Sequence, residues 1–356
     1  MPTPETTATR RLYHEDAGII EFEATLLETR PAPGDLAGQA DWRLDRTAFY
    51  ATSGGQPHDT GWLGVAPVMD VFDEDGLIWH RVANPDGAAP ATGATLAGTI
   101  DKARRRDHTQ QHTGQHILSQ AFIETCGAET VSFHLGAESV TIDLACERLA
   151  PEAILAAERR ANEVVFENRP IVLHWTTREE INRFPLRKPP VVEGPIRIVE
   201  VEGYDWSACG GTHVGRTGEI GPIRILGTTS VKQGVRVDFR CGWRALDDYL
   251  WKHALVRDVA ARFSTLDRQL GAAIERLEDD NQKMRKRLKQ FEEERLDRDA
   301  LSLLATVGTD GARRFLQVER PGADIEELKG LAQRLRGTAG VVALLAGRTD
   351  DGSAPL

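Results

Sequence analysis

Four side chains in two short segments are spaced to share one metal ion. In "HTGQH", residues 112–116, His112 and His116 lie four apart, so on a helix both imidazoles leave one face. In "CGGTH", residues 209–213, Cys209 and His213 keep the same spacing across two glycines. A helix is disfavoured there, because each glycine costs roughly 1 kcal/mol relative to alanine. A sharp turn accounts for Gly210 and Gly211: it lets thiolate and imidazole converge, and it leaves backbone N–H groups open to a bound oxygen. Three imidazoles and a thiolate suit a borderline-soft, tetrahedral ion, and Zn2+ fits that set best. HxxxH alone is a weak signal whose usual setting is the HExxH peptidase, with glutamate as base. Thr113, Gly114 and Gln115 fill the gap here, so no carboxylate is present and a protease is disfavoured. The competing reading is a buried, inert cysteine beside an unrelated histidine.

Positioning these residues requires a helix, a turn and a framework around both. From "DHTQQHTGQHILSQAFIETC" a helix is expected, with Asp107 as its N-cap. Before it, "IIEFEATLLE", "DWRLDRTAFYAT", "APVMDVFDEDGLIWHRVA" and "ATLAGTID" alternate as strands and imply a small N-terminal β-barrel over residues 1–105. Strand "SVTIDLA", helix "APEAILAAERRANEVVFEN" with Pro151 in its first turn, and strands "IVLHWTT", "IRIVEVEG", "IGPIRILGTTSVKQGV" and "VRVDFRCG" follow. Residues 106–245 therefore read as a metal-binding α/β domain in a chain of α+β class.

Residues 246–299 read as a long helix. Ile274, Leu277, Asn281, Met284, Leu288 and Phe291 follow the four-three spacing of a coiled-coil seam. Such a seam serves a homodimer or a helical hairpin within one chain. Residues 300–356 read as a small α/β domain: strand "RRFLQVERP", helix "DIEELKGLAQRLRGT" and a buried strand "GVVALLAG".

At 356 residues, 40% hydrophobic and 28% charged, the chain has the composition of an ordinary globular protein. No apolar run approaches the ~18 residues of a membrane span, and "MPTPETTATRRLYHED" lacks a signal-peptide core, so a cytoplasmic protein is expected. Its four scattered cysteines form no CxxC pair and suit thiols or metal ligands better than disulfides. The net charge of −10 disfavours a general nucleic-acid binder but allows local basic stripes.

"HTGQH" followed by "CGGTH" resembles the editing domain of alanyl-tRNA synthetases and its free-standing AlaX-type relatives, including long forms with a C-terminal extension. "LYHEDAGIIEFEA", "FYATSGGQPHDTGWLG", "SFHLG", "PLRKPP" and "TGEIGPIRI" extend the resemblance over roughly residues 11–245. The resemblance implies hydrolysis of the ester of tRNA(Ala) mischarged with serine or glycine, with zinc on His112, His116, Cys209 and His213. It also places the glycine-rich loop Ser53, Gly54, Gly55 and Gln56 near the editing pocket. No adenylation domain is evident, so the chain is not expected to charge tRNA. The tail "GRTDDGSAPL" lacks the glycine-rich close of a synthetase-type C-terminal domain.

On this resemblance, Thr113, Thr130 and Ser132 are candidates for reading the serine hydroxyl. A pocket whose buried polar groups bind that hydroxyl rejects alanine by leaving them unpaired, with discrimination up to ~10⁴. Gln115 is placed to orient water but, as an amide, cannot be a general base. The Gly210 and Gly211 amides are candidate oxyanion donors. "KARRR" with Arg105, and "RFPLRK" with Arg187 and Lys188, suit acceptor-stem phosphates of tRNA(Ala). Four protein ligands look structural, unless Cys209 is a loose ligand. The alternative function is an inactive, zinc-stabilised tRNA-binding protein.

Overall fold

The computed structural model describes residues 8–34, 36, 38–83, 90–137, 139–189, 194–307 and 314–348. Residues 1–7, Pro190 and the closing 349–356, on which parts of the sequence reading rest, lie outside the described residues. The chain divides into two units, Met1–Lys252 and His253–Leu356.

The first unit opens with β1 (Arg10–Arg11), β2 (Glu21–Pro31), β3 (Gln39–Leu44), β4 (Arg46–Thr47), β5 (Gly61–Leu63), β6 (Ala66–Glu74), β7 (Leu77–Ala83) and β8 (Thr95–Ile100). Alternation drives these strands: β8 buries every second residue, which is the period of a pleated strand with one covered face. Six of them pair in the order β2-β3-β7-β6-β5-β8, and β8 pairs back onto β2, so the ring closes. Leu26, Leu44, Phe49, Leu63, Val71 and Ile78 fill its core. The short β1 and β4 pair separately and in parallel.

Helix α1 (Lys102–Cys126) follows at once. Its N-cap is Asp101, whose carboxylate accepts from the N–H groups of Ala103 and Arg104, not the expected Asp107. The basic run 102–106 therefore forms the first turns of the helix. Asp107 instead pairs with Arg244 at 2.6 Å. The helix is buried from His108 to Ser119 although most of that stretch is polar. Such burial is tolerable only with partners. Gln111 supplies an example, donating to the Cys241 carbonyl and accepting from the Cys241 N–H. Ile117, Leu118, Ala121 and Phe122 anchor the other end in the apolar core, at about 1.5–3 kcal/mol for each large side chain.

Around α1 are β9 (Thr130–Leu135), β10 (Val140–Leu144), α2 (Pro151–Phe166), β11 (Ile171–Thr176), β12 (Ile196–Val201), β13 (Asp205–Ala208), β14 (Ile223–Val231), β15 (Gly234–Cys241) and the start of α3 (Gly242–Arg262). They form one sheet in the order β14-β15-β10-β9 and another in the order β11-β12-β13. The sequence reading missed β1, β5, β9 and β13.

The second unit holds α4 (Leu270–Ala305), β16 (Arg314–Pro321), α5 (Ile325–Arg336) and β17 (Val341–Arg348). β16 and β17 are parallel, and Leu296, Ala300, Leu316, Leu331 and Leu335 make their small core. β17 is not the buried strand expected: Val342 and Leu344 are 48% and 60% exposed. Among the described residues α4 and α5 supply the helical side of this small core, and Val342 and Leu344 of the two-stranded sheet stay uncovered. No helix among the described residues is long and apolar enough to cross a membrane.

Candidate metal centre

The donor atoms of His112, His116, Cys209 and His213 all lie within 4.8 Å of one another. Cys209 Sγ is 3.4 Å from His112 Nε2 and 3.4 Å from His213 Nε2. Ligands at tetrahedral zinc–sulfur and zinc–nitrogen distances stand roughly 3.5 Å apart, so this spacing fits one such ion. Burial pushes the Cys209 thiol up, but the imidazoles of His112 and His213 outweigh it and hold the group well below its ordinary value. That favours the thiolate needed for ligation. Burial drives His213 down to about 3.

Each of the three candidate histidine donors is held by a neighbour from a different element. His112 Nδ1 meets Gln56 Oε1 at 2.7 Å, so Gln56 accepts the ring proton and directs Nε2 toward the cluster. Gln56 sits at the end of the "SGGQ" turn, where Ser53 and Gln56 exchange both backbone hydrogen bonds. Gly54 and Gly55 have φ of 55° and 85°, as the two central residues of a type I′ turn require. The same amide oxygen accepts from Thr212 N, and Gln56 Nε2 donates to Thr212 Oγ1 at 2.7 Å. Gln56 therefore clamps the "CGGTH" turn to the strand ring.

Thr113 Oγ1 lies 3.2 Å from His213 Nδ1, donates to Thr109 O and accepts from Val214 N. It is fully buried with these partners, so it positions His213 and is not a group that reads a substrate hydroxyl. His116 Nδ1 meets Asp205 Oδ2 at 3.2 Å, and Ser207 Oγ donates to the same oxygen. Burial lowers the His116 pKa, but Asp205 and Cys209 overcome it and raise it to about 9. Such a carboxylate fixes ring orientation and raises ligand basicity. Asp205→Asn should weaken zinc binding about 10- to 100-fold, measured by competition with a chromogenic chelator. Unchanged affinity would remove Asp205 from the metal centre.

Gly211 N donates to Cys209 Sγ at 3.4 Å, so this amide supports the thiolate and is not a free oxyanion donor. A side chain at Gly211 would collide with the His112 ring. Gly210 is exposed, and the Arg197 guanidinium holds the turn through the carbonyls of Cys209 and Gly211, each at 2.9 Å. Arg105 is a further correction. It is 3% exposed and donates to Asp59 and to the carbonyls of Ala17 and Ala48, so it is internal and cannot hold phosphates.

A cavity of about 320 Å³ adjoins the cluster, with His116 in its wall. Gln115, Thr130, Ser132, Arg187 and Lys188 also line it, so the structure brings together five residues chosen from sequence. Gln115 Nε2 donates to Ser119 Oγ, as does Thr130 Oγ1, and Ser132 Oγ donates to Asp143. Lys188 is tied to Thr130 O at 2.7 Å. Arg187 donates to Ser207 Oγ at 3.0 Å and lies 3.5 Å from Asp205, linking the cavity to the His116 support. Ser53 and Gly54 are exposed, while the Gly55 carbonyl accepts from Leu135 N beside the cavity wall. Sequence reading missed Asp205, Ser207, Ser119 and Thr212. A histidine ligand's second nitrogen needs an acceptor, which was a signal for Asp205 four residues before Cys209.

Residues 196–236, which span "CGGTH", match the family described as the threonyl and alanyl tRNA synthetase second additional domain. Alanine–tRNA ligases of Thermococcus kodakarensis and Pyrococcus furiosus are 34% and 33% identical over 95% of this chain, and that of Korarchaeum cryptofilum is 30% identical over 94%. The chain spans 37–38% of the length of these relatives. The family match and the relatives thus agree with the resemblance that the ligand motifs carry: along almost its whole length the chain is similar to the editing region of alanyl-tRNA synthetases.

Proposed function

We propose that the protein is a zinc-dependent deacylase that hydrolyses mischarged tRNA(Ala), with the seryl ester as principal substrate and the glycyl ester as a second. The observation that carries this reading is the cavity of about 320 Å³ that shares His116 with the four-donor cluster and is lined by hydroxyl and amide groups. Zinc held by His112, His116, Cys209 and His213 would supply Lewis-acid charge to the ester or to attacking water. The protein's own residues do the rest. Thr130 and Gln115, already joined through Ser119, offer a polar wall to a serine side chain. Alanine would leave that wall unpaired, which is the basis for discrimination. Arg187 and Lys188 at the cavity suit the terminal phosphates of the tRNA acceptor end.

Incubation of the protein with Ser-, Gly- and Ala-tRNA(Ala), following ester loss, tests the proposal. The seryl ester should disappear at least about 100-fold faster than the alanyl ester. No ester loss would reject the deacylase and leave a zinc-stabilised tRNA-binding protein, and equal rates would reject discrimination between the seryl and alanyl esters.

A homodimer through α4 belongs to the same proposal. Leu277, Met284, Leu288 and Phe291 on the seam are 50–62% exposed. An uncovered apolar seam of this spacing favours a second helix from another copy. Sedimentation should give a dimer for the parent and a monomer for a Leu277→Lys, Leu288→Lys variant, and a monomeric parent would exclude the dimer.

A further inference from the structure

The first turns of α1 frame a second cavity, of about 420 Å³, that the metal centre does not use. Lys102, Ala103, Arg106, Asp107, Gln110 and Trp243 line it. Trp243, at the start of α3, is 59% exposed, an uncommon state for so large an apolar ring. Lys102 and Arg106 are both exposed and lie four apart, on one face of the helix. Neither is in an ion pair among the described residues, whereas the neighbouring Asp107 is neutralised by Arg244 and Arg105 is taken up by Asp59. A chain of net charge −10 thus presents here an open indole flanked by two cations that are in no ion pair among the described residues, although both also line a cavity of about 690 Å³ with Glu15, Asp16 and Glu219.

That combination has a particular use. A base can stack on the indole because every base has a π-face, and the cations can take the phosphates beside it. We propose that Trp243, Lys102 and Arg106 form a stacking platform for an unpaired nucleotide of RNA. The inference rests on the deacylase reading, which makes the single-stranded acceptor end of a tRNA the occupant. Arg106 and His116 are ten residues apart on α1, about 15 Å along its axis, so one rigid helix would carry both the platform and the metal ligand. A protein partner would also accept tryptophan and arginine at its contact. Charge favours RNA: among the described residues the one acid lining this cavity, Asp107, is already paired with Arg244.

Binding of deacylated tRNA(Ala), and of a short labelled single-stranded RNA ending in CCA, would be measured by fluorescence anisotropy over a range of salt. The full chain is used as parent, Trp243→Ala, Trp243→Phe and Lys102→Gln with Arg106→Gln. Trp243→Ala should weaken the single strand on the order of 5- to 100-fold, and Trp243→Phe should restore most of the loss. The double charge variant should lower the slope of log affinity against log salt by about 1.4. Zinc content and melting temperature should match the parent in all three, since the residues are at the surface away from the ligands. Parental RNA affinity in both Trp243→Ala and the charge variant overturns the platform. So does a change in sedimentation of Trp243→Ala without a change in RNA affinity, which would mark a protein contact. Ester hydrolysis with RNA affinity unmoved by the variants removes the platform alone. RNA binding that depends on these residues without any ester hydrolysis supports the platform and removes the deacylase.

Discussion

Replacing His112 with alanine should strip zinc from the protein and reduce hydrolysis of Ser-tRNA(Ala) by at least about 100-fold. Among the four donors His112 is the one tied to both the turn and the strand ring. Its Nε2 stands 3.4 Å from Cys209 Sγ, its Nδ1 is engaged by Gln56, and its ring lies 5.2 Å from that of Phe133. The variant loses a ligand, deprives Gln56 of its partner and opens a void under Gly211. Filled zinc sites contribute folding free energy directly, so melting temperature should fall as well. Elemental analysis, thermal melting and ester hydrolysis on one preparation decide the matter. Stoichiometric zinc with parental activity would take His112 out of the ligand set.

An equally large loss is expected from Gly211→Ala, which keeps all four ligands. The new methyl would overlap the His112 ring and crowd Gln56 Oε1, so the turn or the ring must shift. Buried overpacking of this kind typically costs 1–3 kcal/mol, and here the displaced group is a metal donor. Gly210→Ala is the matched control. The nearest atom to its added carbon is His14 Nε2 at 4.0 Å, ordinary contact distance, and activity should stay within about 3-fold of the parent. Similar behaviour of the two variants would mean that the turn tolerates a side chain and that close approach to His112 is unimportant.

The four candidate donors that the structure brings together were legible because metal chemistry constrains residue type and spacing together. His112 and His116 share a helical face by arithmetic, and two glycines between Cys209 and His213 announce a turn. The helix was legible too, but not its start. Asp101 and Asp107 are equally good caps in sequence, and the choice depends on Arg244, 137 residues away, which takes Asp107. Arg105 and Arg106 are adjacent and chemically identical, yet one is internal and the other open, because the helix turns about 100° between them. Only the placement of Asp59 settles which is which. Thr113 looked like a pocket hydroxyl for the same reason: its partners Thr109, His213 and Val214 meet only in three dimensions. The exposure of β17 lay beyond sequence reading, since an apolar run shows what wants burial and not whether a second layer exists to cover it.

Gln56 joins the strand ring to the turn that carries two of the candidate donors through Thr212 and His112. With an ion in the site, that single carboxamide would make ring integrity and ion affinity two readings of one coupling, and the coupling would be reciprocal. A lesion deep in the ring, touching no ligand, will register as weaker ion retention. Chelation, conversely, will loosen the ring from its neighbour before either melts. Tolerance to change in the N-terminal hundred residues therefore depends on how much free ion the surroundings supply.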